Sequence, residues 1–162
     1  LTRLDSGVMD APATEDVLPV LEQVMRMMEL VAQDKGTDLT YRAAEGCIVR
    51  ATRDELHQVI YNLVDNGVKF CPEGGSLEVA VREGGNKVYV TVANDGESIP
   101  AEELPFVFER FHKIDKSRSQ NRDSWGLGLY IVKTIIGFHG ENISVTSRDG
   151  QTTFTFTLPI VN

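Results

Sequence analysis

The chain has 162 residues, with 16 Lys and Arg against 24 Asp and Glu, a formal charge of −8, and 41% hydrophobic and 25% charged residues. That length and balance match one globular domain, which can bury roughly 70% of its unfolded surface without metal or disulfide staples. No apolar run approaches the roughly 18 residues of a membrane span, the lone pair Cys47 and Cys71 makes no CxxC or disulfide framework, and the acidic balance argues against a general nucleic-acid binder.

The chain opens on Leu1 rather than Met and reads as a piece excised from a longer protein, in a reducing, cytosolic setting. Residues 1–14, with Gly7 and Pro12, read as the tail of a preceding element plus a linker. Val17, Val20, Leu21, Val24, Met28 and Val31 recur at helical spacing, predicting a helix over Val17–Gln33 stopped by Gly36. Met25 and Met28 are read as core fillers rather than as part of a sticky surface with Met27.

Short strands are predicted at Asp38–Arg42 and Ile48–Arg50. Thr52 and Glu55 match a capping box that opens a helix to about Lys69, stopped by Pro72 and Gly74-Gly75. Ser76–Glu83 and Lys87–Asn94 alternate apolar and polar residues around Gly84-Gly85-Asn86, a hairpin signal. Gly96 to Pro105 reads as turns, and Phe108 to Trp125 as a long polar loop of the kind that is usually functional or mobile. Helical spacing returns over Gly126–Phe138, and strands Asn142–Ser147 and Thr152–Leu158 pair across Asp149-Gly150-Gln151. Three helices and about six strands in mixed order make an α+β layered domain.

The middle helix breaks its own local rules. At 100° per residue, Asn62, Asn66 and Lys69 fall within about 60° of one another beside an apolar arc of Leu56, Val59, Ile60, Leu63 and Val64. Asn is worse than Ala in a helix by roughly 0.7 kcal/mol, so two at i, i+4 need an explanation. Either they belong to a solvated stripe, or they offer hard amide oxygens to magnesium or phosphate-bound water, with Lys69 neutralising phosphate. Spacing alone does not choose between the two.

Asn94-Asp95-Gly96-Glu97-Ser98-Ile99-Pro100 follows a strand. It is an ordinary turn composition, or a strand end whose side chain accepts from an exocyclic amine while Gly96 lets the backbone approach a flat ring. Gly126-Leu127-Gly128-Leu129 opens the third predicted helix, where backbone N–H groups can meet an anion. There is no Gly-Lys dipeptide, hence no Walker-type phosphate loop.

Taken in this order, these features make the sequence resemble the ATP-binding catalytic domain of bacterial sensor histidine kinases, the Bergerat fold shared with gyrase-type and MutL-type ATPases. Gln58 to Phe70 is similar to the N box, Val92 to Pro100 to the first glycine box, Phe108-Glu109-Arg110-Phe111 to the F box, and Gly126 to Lys133 to the second glycine box. The resemblance spans roughly Asp16 to Pro159. It implies a two-layer α/β sandwich, a mixed, mostly antiparallel sheet of about five strands packed on three helices.

The resemblance also implies roles. Asn66 would hold Mg2+ through its side-chain oxygen, with Asn62 assisting at the phosphates; Lys69 would meet the phosphates and Phe70 cover the nucleoside. Asn94 and Gly96 would face the base, and Ile99 and Leu129 would line the adenine slot. Phe111 to Trp125 would form the ATP lid with Arg118 as a phosphate contact, and the Gly126 and Gly128 amides would cradle phosphate oxygens, with Leu127 between them on the phosphate side. Thr152 belongs to the last glycine box. Related hydrolytic clamps carry Glu as a general base where Asn62 stands, and an amide cannot take that proton. This favours holding ATP for transfer over rapid hydrolysis.

The chain departs from the family pattern in four places. Asn94 replaces the usual Asp, Ser98 and Ser124 replace glycines, and only Gly150 and Thr152 mark the last box. A degenerate nucleotide-binding or regulatory module without kinase activity is therefore the alternative. The phosphoacceptor histidine is expected on a dimerisation domain of the same protein, outside this chain, because His57, His112 and His139 read as structural or solvated. The resemblance further implies a homodimeric, membrane-bound sensor with this domain on the cytoplasmic side, acting on a response regulator, with no nucleic-acid or membrane contact by the domain itself.

Overall fold

The computed structural model describes residues 13–109 and 122–161, with residues 122–126 as backbone alone. A two-residue strand β1 (Glu15–Asp16) leads into helix α1 (Val17–Lys35). The Asp16 carboxylate caps α1 by accepting from the Leu18 N–H at 3.2 Å. Val17, Val20, Leu21, Val24, Met25 and Met28 form its buried face, so the two core methionines lie where their spacing put them, and Met27 is half exposed. Gly36 ends the helix at φ 77°, and its N–H donates to the Gln33 carbonyl.

Strands β2 (Asp38–Ala43) and β3 (Ile48–Val49) precede α2 (Arg53–Phe70), the middle helix. The predicted capping box is complete: the Glu55 N–H donates to Thr52 Oγ1 at 3.1 Å, and the Thr52 N–H donates to Glu55 Oε1 at 3.0 Å. β4 (Ser76–Gly84), β5 (Lys87–Asp95), α3 (Arg122–Phe138), β6 (Ile143–Arg148) and β7 (Gln151–Pro159) follow, with a 3-10 turn at Leu104–Phe106 between β5 and α3.

Five strands form one sheet in the order β2-β4-β5-β7-β6, with β2 parallel to β4 and every other pair antiparallel. The parallel pair is made through α2, because parallel neighbours require a crossover. Alternation along β4, β5 and β7 turns Leu77, Val79, Val88, Val90, Val92, Phe154 and Phe156 toward the helices, where they meet Leu21, Leu56, Ile60, Leu63 and Leu129. The two-layer α/β sandwich is therefore as the resemblance implied.

Two sequence expectations are corrected. Among the described residues seven strands form rather than about six, because β1 pairs with β3 away from the main sheet, Glu15 opposite Val49; two residues carry no readable alternation. Helix α3 begins at Arg122, four residues before the predicted start. Gly126 and Gly128 therefore lie inside the helix rather than opening it, and Arg122 to Trp125 are helical rather than loop. Periodicity missed this turn because Arg122-Asp123-Ser124 places no apolar residue on the core face.

The entry to α2 is also tied to the end of α3. His139 Nε2 lies 3.2 Å from Glu55 Oε1, near enough for charge attraction but without hydrogen-bond alignment. Burial alone would raise the Glu55 pKa; the Thr52 backbone N–H, the His139 charge and the Thr52 hydroxyl outweigh it and hold the carboxyl below its ordinary value. A depressed carboxyl pKa contributes stability that is present above the unfolded value and lost as pH falls through the folded one. Urea unfolding should therefore show the stability gap between wild type and Glu55→Gln narrowing as pH drops below about 4.

Candidate nucleotide site

The C-terminal half of α2 brings the predicted amides together. Asn66 is 8% exposed and its Oδ1 has no partner, and one turn earlier Asn62 Nδ2 is also buried without a partner. A buried polar atom left unpaired costs about 1–3 kcal/mol, so two on one face mark a place where something else supplies the bonds. The solvated-stripe alternative is excluded for Asn66 by its burial. Across from Asn62, a Cβ on Gly128 would sit 3.8 Å from its Cγ, so Gly128 of α3 packs against Asn62 of α2. Lys69 Nζ lies 3.0 Å from Asp65 Oδ2, one turn back. Such an i, i+4 pair contributes only about 0.3–0.5 kcal/mol, so exchanging the carboxylate for another anion costs little.

A second wall comes from the end of β5. Its burial alternates through Val88, Val90 and Val92 to Asn94, which is 5% exposed on the core-facing row. Asn94 Nδ2 donates to the Asp95 carbonyl at 2.9 Å, which leaves Oδ1 as the outward acceptor, 3.5 Å from where a Cβ on Gly67 would stand. Asp95 occupies the other face and accepts from the Ser76 N–H at 2.9 Å. Asn94, rather than Asp95, is thus the residue turned toward α2.

Gly96 is needed for close approach: with φ 154°, a Cβ there would come 2.9 Å from the Phe70 carbonyl. Phe70 itself is half buried against the core, as is Ile99. The Ile99 N–H donates to Ser147 Oγ at 2.7 Å, and Ser147 Oγ lies 2.7 Å from Thr152 Oγ1. Thr152 therefore acts through Ser147 on the segment carrying Ile99. On α3, Leu127 is 40% exposed while Leu129 is wholly buried in the core. Arg118, proposed as a phosphate contact, lies outside the described residues, and Gly126 is described only as part of the α3 backbone.

The aromatic residues of the F box divide. Phe108 packs edge-on against Phe154 at 5.8 Å, in line with a clamp on the core, Phe106 is half exposed, and Phe111 lies outside the described residues. His57 stacks on Tyr61 with centroids 6.2 Å apart, and His139 faces Glu55, so both have structural surroundings. His112 lies outside the described residues.

Two residues went unread in the sequence. Gly67 lies within α2, and a Cβ there would collide with the Leu77 side chain; an uncapped glycine inside a helix was the available signal. Lys35 Nζ donates to the Val68, Lys69 and Cys71 carbonyls at 2.7, 2.6 and 2.9 Å. Burial pushes its pKa below the ordinary lysine value, with an opposing pull from Cys71. In sequence, Lys35 before Gly36 reads only as the basic end of its own helix.

Residues 51–162 match the family model described as histidine kinase-, DNA gyrase B- and HSP90-like ATPase. The sensor histidine kinase WalK of Bacillus subtilis (strain 168) is 38% identical over 114 residues, covering 68% of this chain and 19% of WalK. The chain thus spans under a fifth of that relative. A nucleotide-free crystal structure of the catalytic domain of histidine kinase ThkA superposes with TM-score 0.80 at 27% identity, covering 93% of this chain and 97% of that one. Full-length ShkA in complex with AMPPNP superposes with TM-score 0.80 at 25% identity, covering 96% of this chain and 32% of ShkA.

The contact under Gly96 is directly testable. Gly96→Ala must push a methyl against the Phe70 carbonyl and should lower stability by about 1–3 kcal/mol in chemical denaturation. Gly85→Ala provides the control: its φ of 60° is strained for alanine, but its Cβ meets nothing within 4 Å.

Proposed function

Because the chain belongs to the histidine kinase-, DNA gyrase B- and HSP90-like ATPases, as an ATP-binding domain of the sensor histidine kinase type, we propose that it holds Mg·ATP between α2 and α3. It would deliver the γ-phosphate to a histidine on a dimerisation domain outside these residues. The observation that carries this reading is the pair of buried, unpartnered amide atoms, Asn66 Oδ1 and Asn62 Nδ2, one turn apart on α2 where Asn62 packs against Gly128 of α3.

The donor set suits magnesium. Asn66 Oδ1 is a hard oxygen, and no trio of His, Cys, Asp or Glu among the described residues could hold a metal by itself. A cation here would take most of its ligands from phosphate and water, as magnesium usually does. The chemistry it supplies when bound is neutralisation of phosphate charge. Lys69 would trade Asp65 for phosphate, with Arg118 as a further phosphate contact. Asn94 Oδ1, held outward by the Asp95 carbonyl, would accept from the adenine amine. Phe70 and Ile99 would bound the nucleoside around Gly96, Leu127 would lie on the phosphate side, Leu129 stays in the core rather than lining the slot, and Thr152 would brace Ile99 through Ser147.

In the transfer, a neutral imidazole nitrogen of the acceptor attacks the γ-phosphorus, the N–P bond forms, and the bond to the bridging oxygen breaks with its electron pair leaving on ADP. No side chain at the Asn62 position can deprotonate water, so the bound nucleotide waits for the acceptor. The phosphoryl group would pass onward to a response regulator. The whole protein would be a homodimeric, membrane-bound sensor with this domain on the cytoplasmic side. ShkA, which shares the fold, was crystallised with AMPPNP, and this supports nucleotide binding here.

Calorimetry with a non-hydrolysable ATP analogue should give binding that depends on magnesium, and Asn66→Ala should weaken it at least about tenfold. Silence from the wild-type chain would overturn the reading. Mixing the chain with ATP and the acceptor helix pair should yield an acid-labile phosphohistidine; steady ATP turnover by the chain alone would instead favour hydrolysis. Gly128→Ala separates site from scaffold. Alanine is favoured over glycine in a helix by about 1 kcal/mol and meets Asn62 only at contact distance, so the melting temperature should hold or rise while nucleotide affinity falls.

A further inference from the structure

Helices α1 and α2 end differently. α1 closes on Gly36 in the left-handed region, whereas α2 closes on Cys71 in extended conformation, followed by Pro72. α2 thus ends without a left-handed glycine, and the Cys71 N–H reaches Val68 O at 3.3 Å. Further donors come from the other helix. Lys35 Nζ has three N–H groups and directs them at Val68 O, Lys69 O and Cys71 O, at 2.7, 2.6 and 2.9 Å.

The surrounding backbone holds this contact in place. Gly74 N–H donates to the Gly36 carbonyl at 2.8 Å, and Asp38 N–H donates to the Gly75 carbonyl at 2.9 Å. A Cβ on Gly36 would sit 2.8 Å from Glu73 Cγ. The end of α1 is thus buckled onto the turn that follows α2, which holds the backbone of Lys35 beside that turn.

That last turn of α2 is the one carrying Asn66, Lys69 and Phe70. One of the three acceptors is the carbonyl of Lys69 itself, and the carbonyl of Phe70 is the group packed beneath Gly96. We propose that Lys35 is a positioning residue for the nucleotide site: by satisfying the α2 terminal carbonyls from outside, it fixes Asn66, Lys69 and Phe70 in the register a triphosphate needs. A positive charge at this end also offsets the negative pole of the α2 dipole, which would otherwise repel a polyphosphate bound to the same turn. The proposal rests on the nucleotide-binding reading above, and its test separates the two.

The experiment is calorimetry with magnesium and a non-hydrolysable ATP analogue on wild type, Lys35→Met and Lys35→Arg, with a thermal melt of each. Lys35→Met should weaken binding by about tenfold or more at a temperature where the melt shows it folded, because three charge-assisted bonds are lost together. Lys35→Arg retains charge and donors and should return affinity to within about threefold of wild type. A purely structural lysine would lower the melt and leave the affinity of the folded chain unchanged, and that result overturns the proposal. Where Lys35→Met does not fold, Lys35→Gln is judged by the same criterion. On the wild-type chain, the analogue should slow amide exchange at Cys71, Gly74 and Gly75, and unchanged exchange there also overturns it. If wild type binds no analogue at all, the nucleotide reading falls. The buckle itself is then still read from faster exchange at those amides in the variant.

Discussion

The C-terminal half of α2 must carry amide groups that pair with nothing in the protein, and most of the structure around it compensates for that requirement. Asn66 Oδ1 and Asn62 Nδ2 are buried and unpaired, at a cost of about 1–3 kcal/mol each. A helix with such a face persists only if its other face and both ends are held firmly. The adjoining face is apolar, with Leu56, Val59, Ile60, Leu63 and Val64 almost without exposure. The capping box closes the first turn and the ammonium of Lys35 closes the last. The unpaired amide atoms therefore sit on an element held along its apolar face and at both ends.

The base-facing wall follows a different logic. It is the end of a strand whose inward row runs Val88, Val90, Val92, Asn94, so the polar residue inherits the direction of three valines. Its amide is turned by one backbone carbonyl, that of Asp95, which spends the donor and leaves the acceptor. An aspartate at this position would offer oxygens on both sides and could not be oriented this way. The substitution replaces charge with fixed orientation, and the glycine that follows admits the Phe70 carbonyl where a side chain would block it.

Much of this was legible in the chain. The capping box of Thr52 and Glu55, the apolar arc of α2 and the alternation of β4, β5 and β7 are local signals, and each formed where its spacing placed it. The pairing of Asn62 with Asn66 was visible as a violation of helix preference. The roles of Lys35, Ser147 and Gly67 were not, because each acts on an element distant in sequence: a helix end 33 residues on, a turn 48 residues back, a leucine on another strand. The start of α3 was misplaced for the opposite reason, since Arg122-Asp123-Ser124 carries no apolar residue to mark a helical period.

Sequence alone determined which residue types stand on which face of which element, because helical and strand periods are fixed by backbone geometry. That was enough for the element order, the apolar core and the polar exceptions within it. Tertiary structure decided whether the exceptions converge. It turned Asn94 rather than Asp95 toward α2, set Gly128 against Asn62, and brought the ammonium of α1 to the open end of α2. Those outcomes depend on how the layers pack and which strands become neighbours, and no periodicity within one segment encodes the distance to another.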